Sequence, residues 1–153
     1  MKDATELPAD APPGGDEPLP SGPHLMFVYG TLRPGLENFG EMEGGSYLGP
    51  GRTLERYALF ADDELPYLAR QPAISRITGD IFELTTEHLL RLDRFEGHPS
   101  WYRRESVPVI DPEGNSLHCW VYFCQTPHGS IVKSGDYVLH RQLPRQSIGK
   151  DLF

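Results

Sequence analysis

Leu25-Met26-Phe27-Val28-Tyr29-Gly30-Thr31-Leu32-Arg33-Pro34-Gly35, LMFVYGTLRPG, joins an unbroken apolar run to a segment built for turning. The run LMFVY (25–29) predicts a short strand buried on both faces, because it lacks the apolar–polar alternation of a half-exposed strand. It gives way to two glycines, a threonine and a proline, which leave few side chains to pack. With no side chain on Gly30, a ligand can approach the main chain closely. Successive N–H groups at such a turn can also cradle an anion. The stretch reads either as a binding surface made of backbone or as a plain strand-to-loop turn.

Outward from this point the elements alternate in kind. Residues 33–50 are rich in glycine and read as a long loop with at most a short helical piece. YALFAD (57–62) and ITGDIFEL (77–84) read as strands, with Gly79 marking a bulge or a close backbone approach. Thr85 and Thr86 are N-cap candidates for a helix over EHLLRLDRFE, which Gly97 can terminate. WYRRESVPVID (101–111) and NSLHCWVYFC (115–124) form a predicted hairpin across Asp111-Pro112-Glu113-Gly114. Pro108 puts the first hairpin strand near an edge or at a bulge. SGDYVLHRQL (134–143) reads as a turn and a short helix. These elements predict an α+β fold, a mixed twisted sheet curling into a small barrel with one main helix and short helical pieces.

A chain of 153 residues fits one domain. Residues 1–23 hold six prolines (8, 12, 13, 18, 20, 23) and five acids (Asp3, Glu6, Asp10, Asp16, Glu17) against Lys2. Such a segment buries too little to offset its ordering entropy, so a disordered acidic tail is expected before a domain over 24–153. The formal net charge of −8 disfavours a nucleic-acid partner. No apolar run is long enough to span a bilayer, which argues against a membrane partner. MKDATELPAD has no apolar signal core, and a cytoplasmic protein is expected. Cys119 and Cys124 are five positions apart on one predicted strand and point to opposite faces, unsuited to a shared disulfide or metal. The six histidines show no ligand spacing.

The helix carries the sharpest signal. With Leu89 at 0° on a helical wheel, Leu92 falls at about 300° and Glu96 at about 340°. Glu96 thus shares the core-facing side, at the negative end of the helix dipole, and both effects raise a carboxylate pKa. A carboxylate so tuned suits general acid–base work. The competing reading is an ion pair with Arg103, Arg104 or another arginine. Asp93, at about 40°, reads as a structural cap or pair. Trp101 and Trp120 read as packing residues.

Two segments, VYGTLRPG (28–35) and LDRFEGHPSWYRR (92–104), followed in order by GDIFEL, CWVYF and SGDY elsewhere in the chain, are similar to the gamma-glutamylcyclotransferase-like superfamily. The resemblance covers roughly residues 25–140 and lies nearest the gamma-glutamylamine cyclotransferases and their small bacterial relatives. It implies a small twisted barrel with a pocket at its open end. It also implies cyclisation of a small-molecule gamma-glutamyl substrate to 5-oxoproline with release of an amine, without a cofactor. By this resemblance Tyr29, Gly30, Thr31 and Leu32 wrap the glutamyl group, Glu96 is the acid/base and Tyr102 lines the pocket. Tyr122 and Tyr137 are weaker matches for the lining. Arg33 can meet a substrate carboxylate or be ion-paired within its loop. Leu32-Arg33-Pro34-Gly35 follows the smaller members' pattern, which leaves the leaving group open. Loops 33–56 and 63–76 are expected to shape its pocket.

The residue types suit this chemistry. A gamma-glutamyl amide contains its own nucleophile, so ring closure needs orientation and a proton carrier more than a protein nucleophile. The alternatives are a non-catalytic module binding a small carboxylate or a protein on the same fold, and hydrolysis with Glu96 activating water. A glutamate at position 96 favours an enzyme over a binder.

Overall fold

The computed structural model describes Leu19 and residues 21–142. Eight strands and two helices follow in the order β1 (His24–Val28), β2 (Ser46–Thr53), β3 (Ala58–Ala61), β4 (Pro66–Ala69), β5 (Thr78–Leu84), α1 (Thr86–Glu96), β6 (Tyr102–Ile110), β7 (Ser116–Cys124), β8 (Ser130–Ile131) and α2 (Tyr137–Gln142). A short 3-10 turn, Phe39–Met42, lies in the long loop after β1. The expected disordered tail falls almost wholly outside the described residues. Leu19 packs against the core, so ordered contacts begin before residue 24.

Five strands close a barrel in the order β1-β5-β2-β6-β7, and β4-β3-β8 form a second, small sheet. The barrel is mixed, since β1 runs antiparallel to β5 but parallel to β7, where Met26 pairs with Trp120. β1 is buried on both faces, as its continuous apolar sequence requires. Phe27 and Tyr29 join a cluster with Ile81, Val109, Val121 and the small sheet's Leu59 and Leu68. Met26 and Val28 join one with Phe82, Leu89 and Leu92. Cys119 and Cys124 are buried free thiols, and burial pushes Cys119 up to about 12. No helix among the described residues is long and apolar enough to cross a membrane.

Two strands correct the sequence reading. β2 lies mostly inside the expected 33–50 loop, and β4 inside the expected 63–76 loop. β2 lacks a strand-like composition because Gly49, Pro50 and Gly51 occupy its middle, and most of its residues are partly or fully exposed. A side chain on Gly51 would run into Ile81 and Val109, so the glycine that hides the strand is the one that lets the barrel close. β4 is four residues long and starts with proline, which suits its edge position. Pro108 sits where the β2–β6 ladder, paired only at Val109 and Ile110, runs out. Its carbonyl there accepts from the Leu54 amide. Gly79 backs onto Val28 and the Phe27 ring.

Helix α1 begins at Thr85, whose hydroxyl accepts the His88 amide at 3.1 Å. It ends at Gly97, whose φ of 72° is the left-handed conformation that glycine adopts without penalty. Leu89 and Leu92 are fully buried beneath it, each contributing about 1.5–3 kcal/mol. Its C-terminal turn is held by charge. Asp93 accepts two hydrogen bonds of 2.8 Å from Arg104 Nε and Nη2 and one of 2.7 Å from the Tyr122 hydroxyl. Arg104 is 1% exposed and lies 4.3 Å over the Trp120 ring. Asp93→Asn keeps the volume but strands the buried guanidinium. It is expected to cost about 3–5 kcal/mol in urea unfolding; a loss below 1 kcal/mol, roughly that of an exposed pair, would show that the network does not hold the helix end.

Candidate active site

The end of β1, the β3–β4 hairpin and the end of α1 meet around a cavity of about 190 Å³. Tyr29, Gly30, Thr31, Leu32, Glu96, Tyr102 and Tyr122 all line it. Close packing explains Gly30, since a Cβ there would lie 2.5 Å from Pro66 Cγ of the hairpin. The turn is set locally by the Arg33 amide donating to the Gly30 carbonyl at 3.0 Å. Asn38 braces it from the loop, donating to the Thr31 hydroxyl at 2.9 Å through Nδ2 and to the Thr31 carbonyl at 3.0 Å through its amide. The amides of Gly30, Thr31 and Leu32 donate to no described backbone carbonyl. Three consecutive N–H groups of a turn that lines the cavity are thus left to solvent or to a bound anion.

Glu96 is half-buried and makes no ion pair or hydrogen bond with any described side chain. The arginines that could have neutralised it are engaged elsewhere, Arg104 with Asp93 and Arg103 near Glu105 at 4.0 Å. Burial alone pushes the Glu96 carboxyl up to about 7. The phenols around it stay protonated. Burial raises Tyr29, Tyr102 and Tyr122 well above the usual tyrosine range, and the nearby Glu96 charge adds to this for each. Their hydroxyls are committed to the scaffold. Tyr29 donates to the Tyr122 carbonyl at 2.7 Å, and Tyr102 to the Pro66 carbonyl at 2.8 Å.

Two residues expected at the site lie away from the cavity. Arg33 turns from it to Asp80 at 2.8 Å and Asp136 at 3.1 Å, so its charge is already met. Tyr137 is 2% exposed, packed in the core shared by the barrel and the small sheet. In the opposite direction, Phe95 and Trp101 line the cavity without having been expected there, while Asn38, Leu65 and Pro66 come from the two loops expected to shape the pocket. Trp101, read from sequence as packing, is 76% exposed at the cavity's edge. Phe95 had a signal, since it directly precedes Glu96 and falls at about 240° on the same wheel, at the border of the core-facing side.

A family model for gamma-glutamyl cyclotransferase, AIG2-like, matches residues 26–139. The chain is 38% identical, over 117 residues, to a Methanocaldococcus jannaschii protein provisionally named a gamma-glutamylcyclotransferase. That match spans 76% of this chain and 97% of the other. The human gamma-glutamylaminecyclotransferase is 30% identical over 151 residues, covering 80% of this chain and 98% of its own. The crystal structure of an AIG2-like protein from Mus musculus superposes with a TM-score of 0.64 at 31% identity, over 71% of this chain and 87% of that one.

The Glu96 environment has a measurable consequence for folding. Folded, Glu96 keeps its proton to about pH 7, against an ordinary value of 4.5. The folded state therefore binds more protons between these values, and stability falls as pH rises through that window. Glu96→Gln is expected to raise stability above pH 7 by up to about 3 kcal/mol, a gain that vanishes below pH 4.5. Thermal melting of both proteins across pH 4–8 checks this; a gain independent of pH would locate the effect in packing instead.

Proposed function

The chain belongs to the gamma-glutamyl cyclotransferase, AIG2-like family, and on that premise we propose that it cyclises a gamma-glutamyl amine to 5-oxoproline, with Glu96 as the acid and base. The observation carrying this reading is a carboxylate with no described partner and a pKa near 7, in one cavity wall with the Tyr29–Leu32 turn. The free amides of the turn hold the substrate's alpha-carboxylate. Glu96 takes a proton from the alpha-ammonium. The freed amine attacks the gamma-carbonyl carbon, and the new C–N bond closes the five-membered ring. The same carboxyl, now protonated, delivers its proton to the departing nitrogen as the old C–N bond breaks, and the ring nitrogen passes its remaining extra proton to the released amine, which leaves as an ammonium. One group serves both steps because its pKa lies near the working pH. The enclosing wall holds the reacting atoms in place, which supplies much of the rate.

The lining also bears on the leaving group. No described lysine, arginine or histidine lines the cavity, and its outer part is formed by Leu65, Pro66, Phe95 and Trp101. The leaving nitrogen must come within reach of Glu96, so a carboxylate on the adjacent carbon would be brought close to that charge with no cation to offset it. Amines without an alpha-carboxylate are the favoured leaving groups.

Mass-spectrometric detection of 5-oxoproline from a panel of gamma-glutamyl compounds tests both points. The wild type is expected to turn over gamma-glutamyl amines faster than gamma-glutamyl amino acids or glutathione. Its kcat/KM should rise with pH through about 7. Glu96→Gln should lose about 10²–10⁴-fold in kcat with its fold intact. Full activity in that variant would remove Glu96 from the chemistry, and release of free glutamate in place of 5-oxoproline would make the reaction a hydrolysis.

A further inference from the structure

We infer that a second, polar cavity of about 320 Å³, lined by Arg52, Arg56, Arg76 and Lys133, is a binding site for a small phosphorylated molecule. It shares no lining residue with the cavity around Glu96. The inference starts from the chain's own pairing of charges. Arg33, Arg70, Arg103, Arg104 and Arg141 each lie against a carboxylate. Arg91 and Arg94, on α1, are engaged with no described carboxylate, and both are exposed. Arg52, Arg56, Arg76 and Lys133 are exposed as well and also have no described carboxylate partner, but these four, unlike Arg91 and Arg94, converge on one cavity. In a chain of net charge −8, acids to neutralise them are plentiful. A concentration of unpaired cations repels itself, and a bound anion relieves that repulsion.

Two of the guanidiniums are held in place before any ligand arrives. Arg76 Nε donates to the Leu54 carbonyl at 2.9 Å, and Arg56 Nη1 to the Ile74 carbonyl at 3.1 Å. A guanidinium has five N–H donors, so each keeps most of its donors for a ligand. Thr78 and Ser134 add hydroxyl groups to the wall. The carboxylate in the lining, Asp136, is already taken by Arg33 and by the Leu139 amide. Asp111, in an adjoining cleft that shares Arg52 and Arg76, is tied into its own turn by the Glu113 and Asn115 amides. Forked donors arriving from several elements suit the multiple oxygens and double charge of a phosphate better than a planar carboxylate. The chain's overall acidity argues against a nucleic acid as the source of that phosphate.

The probe is inorganic pyrophosphate, titrated calorimetrically into the full chain at low ionic strength. Arg52 and Lys133 side chains make no hydrogen bond with a described residue, so Arg52→Gln/Lys133→Gln can remove two charges without disturbing the fold. Wild type is expected to give one saturable site, weakened at least tenfold in the double variant and unchanged in Arg91→Gln, which removes a charge elsewhere. Thermal melts without ligand confirm that the variants fold. The absence of saturable binding at millimolar pyrophosphate would overturn the site. Equal weakening by Arg91→Gln would reduce it to general charge attraction. Citrate binding as tightly as pyrophosphate would overturn the assignment to phosphate.

Discussion

The buried pair of Asp93 and Arg104 fixes the geometry on which the rest of the site depends. Removing two charges from water is costly, and only good geometry with additional hydrogen bonds offsets it. Here Arg104 reaches Asp93 through two nitrogens, Tyr122 adds its hydroxyl, and the Trp120 ring covers the guanidinium. The network joins α1 to β6 and β7 at one point. Glu96 lies a little under one turn further along the same helix. Its position relative to Tyr102 and Tyr122, on those same strands, is thereby set by a contact it does not itself make.

The same pair explains why Glu96 is electrostatically alone. Two adjacent arginines, Arg103 and Arg104, follow it closely in sequence, and either could have lowered its pKa by pairing. Alternation along β6 sends them to opposite faces. Arg104 points inward, where Asp93 has first claim on it, and Arg103 points towards Glu105. Arg33 follows a similar logic at the other side of the cavity. It follows directly on the cavity-lining Tyr29–Leu32 turn, yet Asp80 and Asp136 draw it away. Among the described residues the cavity is left with one acid, neutral phenols and backbone amides, while four cations with no described carboxylate partner gather around a separate cavity.

Much of this was legible in the chain. The β1 run, the Thr85 and Gly97 caps of α1, the β6–β7 hairpin and the inward direction of Glu96 depend on local rules, namely periodicity, capping and turn chemistry. β2 and β4 escaped because their identity as strands comes from partners distant in sequence. A segment of glycine, proline and exposed side chains becomes a strand only when β5 and β6 present their backbone groups to it. Pro66 reads as a loop residue until the fold sets it against Gly30.

By itself, then, the sequence determined which residues had the right chemistry and which way a regular helix or strand would turn them. A carboxylate on the leucine face of α1, a glycine turn after a buried strand and a surplus of acid are all properties of neighbouring residues. Only the tertiary structure decided which charges meet. Whether Glu96 or Asp93 received Arg104, whether Arg33 faced the cavity, and which aromatic rings formed its rim turned on distances between elements far apart in the chain. Coulomb energy and desolvation depend on those distances and on the depth of burial, and barrel closure is what sets both.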